Sequence, residues 1–379
     1  MRWVFLAITV LLLEGLTYGA ARGVQWGFAP WLTAKTSRYV LWALFAFSNG
    51  LLLAVVVKFS GMGLKLLMSW LTVLWLFILA MLATWLVHLL VSKLLLASMG
   101  ASTASGYTLW GVRGLLAVMF VGLVGLGVYN AYMPVVRRLT IQTNQPLAKP
   151  LRIGLVSDLH LGRLIGQYHL KKLQAIVKHE HIELLLMAGD IMDDNTDEYN
   201  ARNMQPTLSA LVHAVPLGVY ASLGNHDMYG HEAQIRRAIE DAGIHLLTDS
   251  RALVDQRLWL VGRLDDHAKY RKPTADLLPP NNQLPIVLLD HEPSQIAQNV
   301  ALPIDVQLSG HTHNGQIFPA NFIVKAMYRL AYGHERIHNT DVIVSSGYGL
   351  WGVPFRLGSQ SEVWVIDLIG SNQSANISR

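Results

Sequence analysis

The sequence predicts a two-part protein: an N-terminal all-α transmembrane bundle followed by a C-terminal α/β sandwich with mixed sheets. Three observations lead there. Four long apolar runs lie within residues 1–136, short β-rich runs begin at Leu151, and five of those short runs end in His, Asp or Asn. A chain of 379 residues accommodates both parts.

The apolar runs are Trp3–Gly19, Tyr39–Val57, Leu66–Val91 and Gly114–Val136, and the last three contain no Asp, Glu, Lys or Arg. A helix needs roughly 20 apolar residues to cross the hydrocarbon core of a bilayer. Buried helices of a soluble domain would carry polar stripes at a 3.6-residue period, and none is visible. Residues 1–136 therefore read as a membrane domain of about four transmembrane helices. Arg2 ahead of the first run, and Gly19, Ala20 and Ala21 behind it, also fit a signal peptide. Glu14 late in the run and the three spans that follow favour an uncleaved helix.

Charge divides the chain as hydropathy does. Residues 1–150 hold eleven Lys and Arg against the single acid Glu14, whereas the remainder holds nineteen basic and twenty-four acidic residues. The C-terminal part therefore lacks the basic balance of a nucleic-acid-binding domain, and the positive charge belongs to membrane flanks. With four spans, Arg2, Lys58, Lys65, Arg137, Arg138 and Lys149 share one side; Arg22, Lys35, Arg38 and Lys93 share the other, with Arg113 at a boundary. That bias favours a cytoplasmic C-terminal domain. Glu14 as the one intramembrane acid argues against a transporter. Residues 137–150, with Arg-Arg and two prolines, read as a juxtamembrane linker, residues 151–369 as the folded domain and 370–379 as a polar tail.

Within 151–369 the short runs end in ligand-type residues. Leu151–Val156 leads to Ser157-Asp158-Leu159-His160, Leu184–Ala188 to Gly189-Asp190, and Gly218–Leu223 to Gly224-Asn225-His226-Asp227. Ile286–Leu289 leads to Asp290-His291-Glu292-Pro293, and Val306–Ser309 to Gly310-His311-Thr312-His313. A helical stretch, Gln167–His179, separates the first two runs as a βαβ unit requires. Leu258–Val261, Asp341–Ser345 and Val363–Leu368 add strands. Strand C-termini are where α/β sheets place their sites. The chain has no cysteine, so any metal must be held by His, Asp, Asn or Glu.

Taken singly, Asp158-x-His160 and Gly189-Asp190 fit ordinary strand-end turns, because Asp and Gly favour turns. An Asn-His-Asp run after a buried strand has little packing value, and His311-x-His313 places two imidazoles on one face of extended backbone. In order and spacing, the set resembles the calcineurin-like metallophosphoesterase superfamily over residues 151 to about 369. The run from Gly310 to Gln316, followed by Ser345-Ser346-Gly347, looks like a bacterial membrane-associated branch that includes phosphodiesterases and lipid-precursor pyrophosphate hydrolases. Asn314 departs from that branch, which usually carries glycine there.

The resemblance implies one metal held by Asp158, His160 and His313 and a second held by Asn225, His291 and His311, with Asp190 bridging both. It also implies that His226 is a non-ligating acid paired with Asp227. Carboxylate, amide and imidazole donors suit two divalent ions of Mn, Fe or Zn, with Mn favoured. The implied protein is an integral, multi-pass protein of a bacterial inner membrane with its partners in the lipid bilayer. Its expected activity is hydrolysis of phosphodiester or pyrophosphate bonds, in a lipid or lipid-precursor substrate. A metal-dependent phosphomonoesterase or protein phosphatase, or a non-catalytic membrane scaffold, is the alternative. Nothing in the sequence fixes the oligomeric state.

Arg163, Arg263 and Arg356 are candidate phosphate contacts, because guanidinium matches phosphate bidentately. The remaining histidines of the C-terminal part, His267 among them, read as residues of surface loops and helices, and the acidic run Asp193, Asp194, Asp197 and Glu198 as a solvated loop that borders the site. The segment Ile317–Tyr332 mixes aromatic and apolar residues with Lys325 and Arg329, a composition suited to the headgroup boundary.

Overall fold

The computed structural model describes residues 2–58, 61–99, 101–280 and 283–373. It divides into two compact units, one of residues 1–129 with 352–355, the other of residues 130–351 and 356–379. The end of the polar tail, 374–379, lies outside the described residues.

Four helices make up most of the first unit: α1 (Arg2–Gly27), α2 (Ala34–Lys58), α3 (Gly61–Met99) and α4 (Ala101–Tyr132). Each contains a stretch long and apolar enough to cross a membrane. Little drives apolar helices together in lipid, so polar contacts between them count. Ser48 on α2 supplies two: its hydroxyl lies 2.8 Å from Thr17 Oγ1 on α1 and accepts from Trp70 Nε1 on α3, also at 2.8 Å. The fourth apolar run is helical only as far as Tyr132. Pro134 lacks an N–H and disfavours the helical conformation at Met133, and strand β1 starts at Val135.

The second unit is a sandwich of two six-stranded sheets. Its strands are β1 (Val135–Gln142), β2 (Leu151–Val156), β3 (Leu184–Ala188), β4 (Val219–Ser222), β5 (His245–Leu246) and β6 (Ser250–Val254), followed by β7 (Leu258–Gly262), β8 (Ile286–Leu289), β9 (Val306–Ser309), β10 (Gly333–Ile337), β11 (Thr340–Val344) and β12 (Glu362–Ile369). One sheet runs β1-β12-β2-β3-β4-β5 and the other β10-β11-β9-β8-β7-β6. Both are mixed: β2, β3 and β4 are parallel neighbours, as are β7, β8, β9 and β11, while β12, β10 and β6 pair antiparallel to β2, β11 and β7.

Alternation along the strands builds the layers. Leu184, Leu186 and Ala188 of β3 join Leu260, Leu289 and Leu308 in the core between the sheets. Leu185 and Met187 point the other way, into a core with Leu170, Leu173 and Val177. Those three lie on the helix Gln167–His179, which we call α5, at the spacing of one helical face. Each buried side chain of this size contributes roughly 1.5–3 kcal/mol relative to exposure. Leu277 packs on Val261 and Leu288 of the second sheet, and Ile296 on Val342 and Val344.

Residues 137–150 are not a free linker. Strand β1 pairs in parallel with β12 over its whole length. Arg137 Nε donates to the buried carboxylate of Glu362 at 2.5 Å, and Arg138 grips Glu180 with bonds of 2.9 and 2.7 Å. Leu147 is buried, its N–H donating to Asn372 and its carbonyl accepting from Gln373 Nε2, so the start of the expected polar tail is also tied to this unit. The polar residues that suggested a linker are those of a sheet edge, where one face and one margin meet water.

Candidate metal centre

The parallel strands of both sheets present their C-terminal ends at one edge, and the five predicted motifs meet there. The turns that follow are unusually constrained. Asp158, His160, Asp190, His311 and His313 all have φ between 47° and 70°, a region that costs non-glycine residues on the order of 1–3 kcal/mol each. Such a concentration persists only where the surroundings fix the backbone. Two motif glycines make the close approach feasible. A Cβ on Gly224 would lie 2.2 Å from Asp190 Oδ1, and one on Gly310 would lie 2.3 Å from Asp158 Oδ2.

Donor atoms of Asp158, His160 and His313 lie together, as do those of Asp158, Asp190 and His291. His160 Nε2 faces His313 Nε2 at 3.2 Å, and His313 Nε2 lies 3.5 Å from Asp158 Oδ1. Asp190 Oδ1 accepts from the His226 N–H at 2.8 Å, leaving Oδ2 between His160 Nε2 at 3.7 Å and His291 Nε2 at 3.2 Å. That is the arrangement a bridging carboxylate needs. On the far side, Asn225 Oδ1 is 3.3 Å from His291 Nε2 and 3.0 Å from His311 Nδ1.

Supporting contacts aim these groups. His291 Nδ1 lies 2.7 Å from the Ala188 carbonyl, which fixes the ring so that Nε2 faces Asp190; burial disfavours its charge, but the Asp190 carboxylate holds its pKa well above the usual imidazole range, so a metal binding here would displace the Nε2 proton. Asn225 Nδ2 donates to Tyr229 Oη at 2.9 Å, which turns Oδ1 inward. The His311 N–H donates to Asp158. Arg356, fully buried, donates to the carbonyls of Gly349 and Gly347 and approaches His313 Nδ1 at 3.2 Å.

The donors fit divalent cations. Asp158 and Asp190 are buried, and among the described residues neither pairs with Lys or Arg. Burial pushes the Asp158 carboxyl up to about 6, as expected for a carboxylate lacking a cation. Burial lowers His160 and His311 to about 4, and burial with the Arg356 charge holds His313 well below the usual imidazole range. These rings are therefore neutral at pH 7, the form that binds metal.

His226 differs. Burial is the largest influence and disfavours its charge, but the hydrogen bond from its Nδ1 to Asp194 Oδ1, at 2.6 Å, and the charges of Asp190, Asp194 and Asp193 together raise its pKa. The orienting partner is Asp194, not Asp227 as expected. Asp227 instead accepts backbone N–H bonds from Ile191, Met192 and Gly224 and locks two of the turns together. Asp194 belongs to the acidic run that read as a solvated loop; its position just past β3, beside the Gly189-Asp190 turn, was the available signal.

The centre opens into a cavity of about 450 Å³ lined by Asp190, Asn225, His226, His311 and His313 on one side. Tyr229, Tyr328, Trp351, Val324 and Met327 also line it; Tyr328, Val324 and Met327 belong to the segment 317–332 that sequence reasoning placed beside the site, whereas Tyr229 and Trp351 had no role in it. None of the three candidate arginines lines it. Arg163 pairs with Glu198, Arg263 with Asp290 and Gln295, and Arg356 is held as described, so each guanidinium is already engaged with protein groups. Asn314 sits at φ 48°, ψ 38°, a conformation glycine adopts freely and Asn tolerates better than most residues. The departure from glycine thus preserves the turn.

A two-sheet α/β sandwich with mixed imidazole, carboxylate and amide donors at one strand edge defines the metallophosphoesterase class. Residues 151–315 match the model of the calcineurin-like phosphoesterases. An uncharacterised metallophosphoesterase of Campylobacter jejuni is 30% identical over 268 residues, covering 67% of this chain and 69% of that one. The chain belongs to this family. A Helicobacter pylori metallophosphoesterase is 29% identical over 60% of this chain, which spans 62% of that relative's length. A Danio rerio relative described as a transmembrane protein with metallophosphoesterase domain is 29% identical over 56% of this chain and 52% of its own.

Proposed function

We propose that this protein is a membrane-anchored dinuclear-metal hydrolase of phosphodiester or pyrophosphate bonds in a lipid or lipid-precursor substrate. The seven donors hold two ions, Mn favoured, with Asp158, His160 and His313 at one, Asn225, His291 and His311 at the other, and Asp190 between. Bound there, two divalent ions supply an activated water and neutralise charge on the phosphoryl oxygens. His226, oriented by Asp194 and biased towards its protonated form, gives its proton to the leaving oxygen. The site is placed on the cytoplasmic side of a bacterial inner membrane, in line with the charge bias of the flanks.

The lipid reading is carried by one observation. The helix Ala320–Met327, which leaves the His311/His313 turn and lines the cavity through Val324 and Met327, buries none of its residues. Phe322, Ile323 and Met327 are 60%, 60% and 66% exposed, and Trp351 across the cavity is 47% exposed. An ordinary core helix would bury that face; an acyl chain reaching the centre would cover it. Replacing Phe322 and Met327 together with Ser should raise KM for a micellar phospholipid or lipid pyrophosphate several-fold and leave a nitrophenyl phosphodiester unaffected. Equal losses on both substrates would remove the lipid argument, and preferential turnover of phosphomonoesters would favour a phosphatase.

A further inference from the structure

A second cluster of metal-type side chains stands at the same strand edge and shares no residue with the seven donors. Asp265 follows β7, His267 lies two residues further on, and Glu292 follows β8. One donor atom of each lies within 4.8 Å of the others. Around a single ion with bonds of about 2.1 Å, donor pairs lie roughly 3–4.3 Å apart, so small side-chain movements complete the set.

Asp265 supplies the observation that a surface cluster would lack. Its side chain is fully buried, and its Oδ2 has no hydrogen-bond partner among the described residues. Oδ1 is occupied, accepting from the backbone N–H of His267 at 3.0 Å and lying 2.7 Å from His267 Nδ1. Nearby Arg271 pairs with Asp266 and Asp290 and its charge is felt by Asp265, but it makes no hydrogen bond to Oδ2. A buried carboxylate oxygen without a hydrogen-bond donor is costly.

The neighbours fit an ion in this place. Tyr328 donates to Glu292 Oε1 at 3.0 Å, and Tyr229 Oη lies 3.4 Å from His267 Nε2. Both tyrosines line the substrate cavity, so the cluster stands behind its wall, next to the main centre. We propose that Asp265, His267 and Glu292 form a further binding site for one divalent cation. One imidazole with two carboxylates and no sulfur suits Mn, Fe or Zn.

Counting bound Mn on the full chain in detergent tests this, because the count does not depend on turnover. After saturation with Mn and removal of free ion, the unsubstituted chain should hold three ions. Asp190→Ala, which deprives both ions of the main centre of a donor, should keep one. Adding Asp265→Asn, or the half-exposed His267→Ala if the first variant folds poorly, should remove that last ion. Two ions on the unsubstituted chain with none on Asp190→Ala would overturn the site. Retention of the remaining ion in both double variants would overturn it as well. Absence of phosphoesterase activity would sink the proposed function and leave this count unchanged.

Discussion

His226 stands 4.8 Å, centroid to centroid, from the ring of His160, yet the two histidines are driven in opposite directions. Burial leaves His160 without its proton, whereas Asp194 helps His226 keep one. For this pair, the opposed directions fit His160 as a ligand and His226 as an acid. Replacing His226 with Ala should therefore lower kcat roughly 10²–10⁴-fold, the range for loss of a general acid, with bound Mn unchanged. Asp194→Asn should give a smaller loss of kcat, also without loss of metal. Asp227→Asn should instead lower thermal stability, because Asp227 anchors three backbone N–H groups in two turns. Metal loss in His226→Ala with normal metal in Asp190→Ala would reverse the roles assigned to these residues.

At the scale of elements, the strand ends act as a rigid rim, and the glycines that precede the donors allow neighbouring turns to close on one another. Gly310 abuts Asp158, and Gly224 abuts Asp190, at distances that admit no methyl group. Gly310→Ala and Gly224→Ala should each displace the adjacent carboxylate. The expected outcome is loss of Mn from the main centre and a stability loss of about 1–3 kcal/mol, the usual cost of overpacking. Metal titration together with a thermal melt of each variant checks both. Normal Mn content in the two alanine variants would mean that the turns relax without moving their ligands.

For the whole molecule, the proposed function needs the catalytic unit on a defined side of the bilayer. A reporter active only in the cytoplasm should be active when fused after Arg379 and silent when fused within residues 28–33, between α1 and α2. The opposite pattern would place the site outside the cytoplasm and discard the charge-based orientation. The folded pairing of Arg137 and Arg138 with Glu362 and Glu180 does not alter the expectation, because topology is set on the nascent chain before those carboxylates are in reach.

Local pattern was enough for the four apolar helices, for α5 and for the five motif-bearing strands, and the family resemblance carried by those motifs singled out Asp158, His160, Asp190, Asn225, His291, His311 and His313. Periodicity and strand-end chemistry are properties of neighbouring residues, so the chain displays them directly. Partners distant in sequence were decided by the tertiary structure. Strand β1 exists because β12, more than 200 residues further on, offers it a parallel partner, and nothing near Arg137 announces a sheet edge. Asp194 displaced Asp227 as the partner of His226 because adjacent turns, not adjacent residues, meet at the rim. The exposed apolar helix beside the cavity and the orphaned oxygen of Asp265 likewise depend on what the fold leaves uncovered. Sequence spacing carries the chemistry of a donor; only packing decides which donors face one another and which are spent elsewhere.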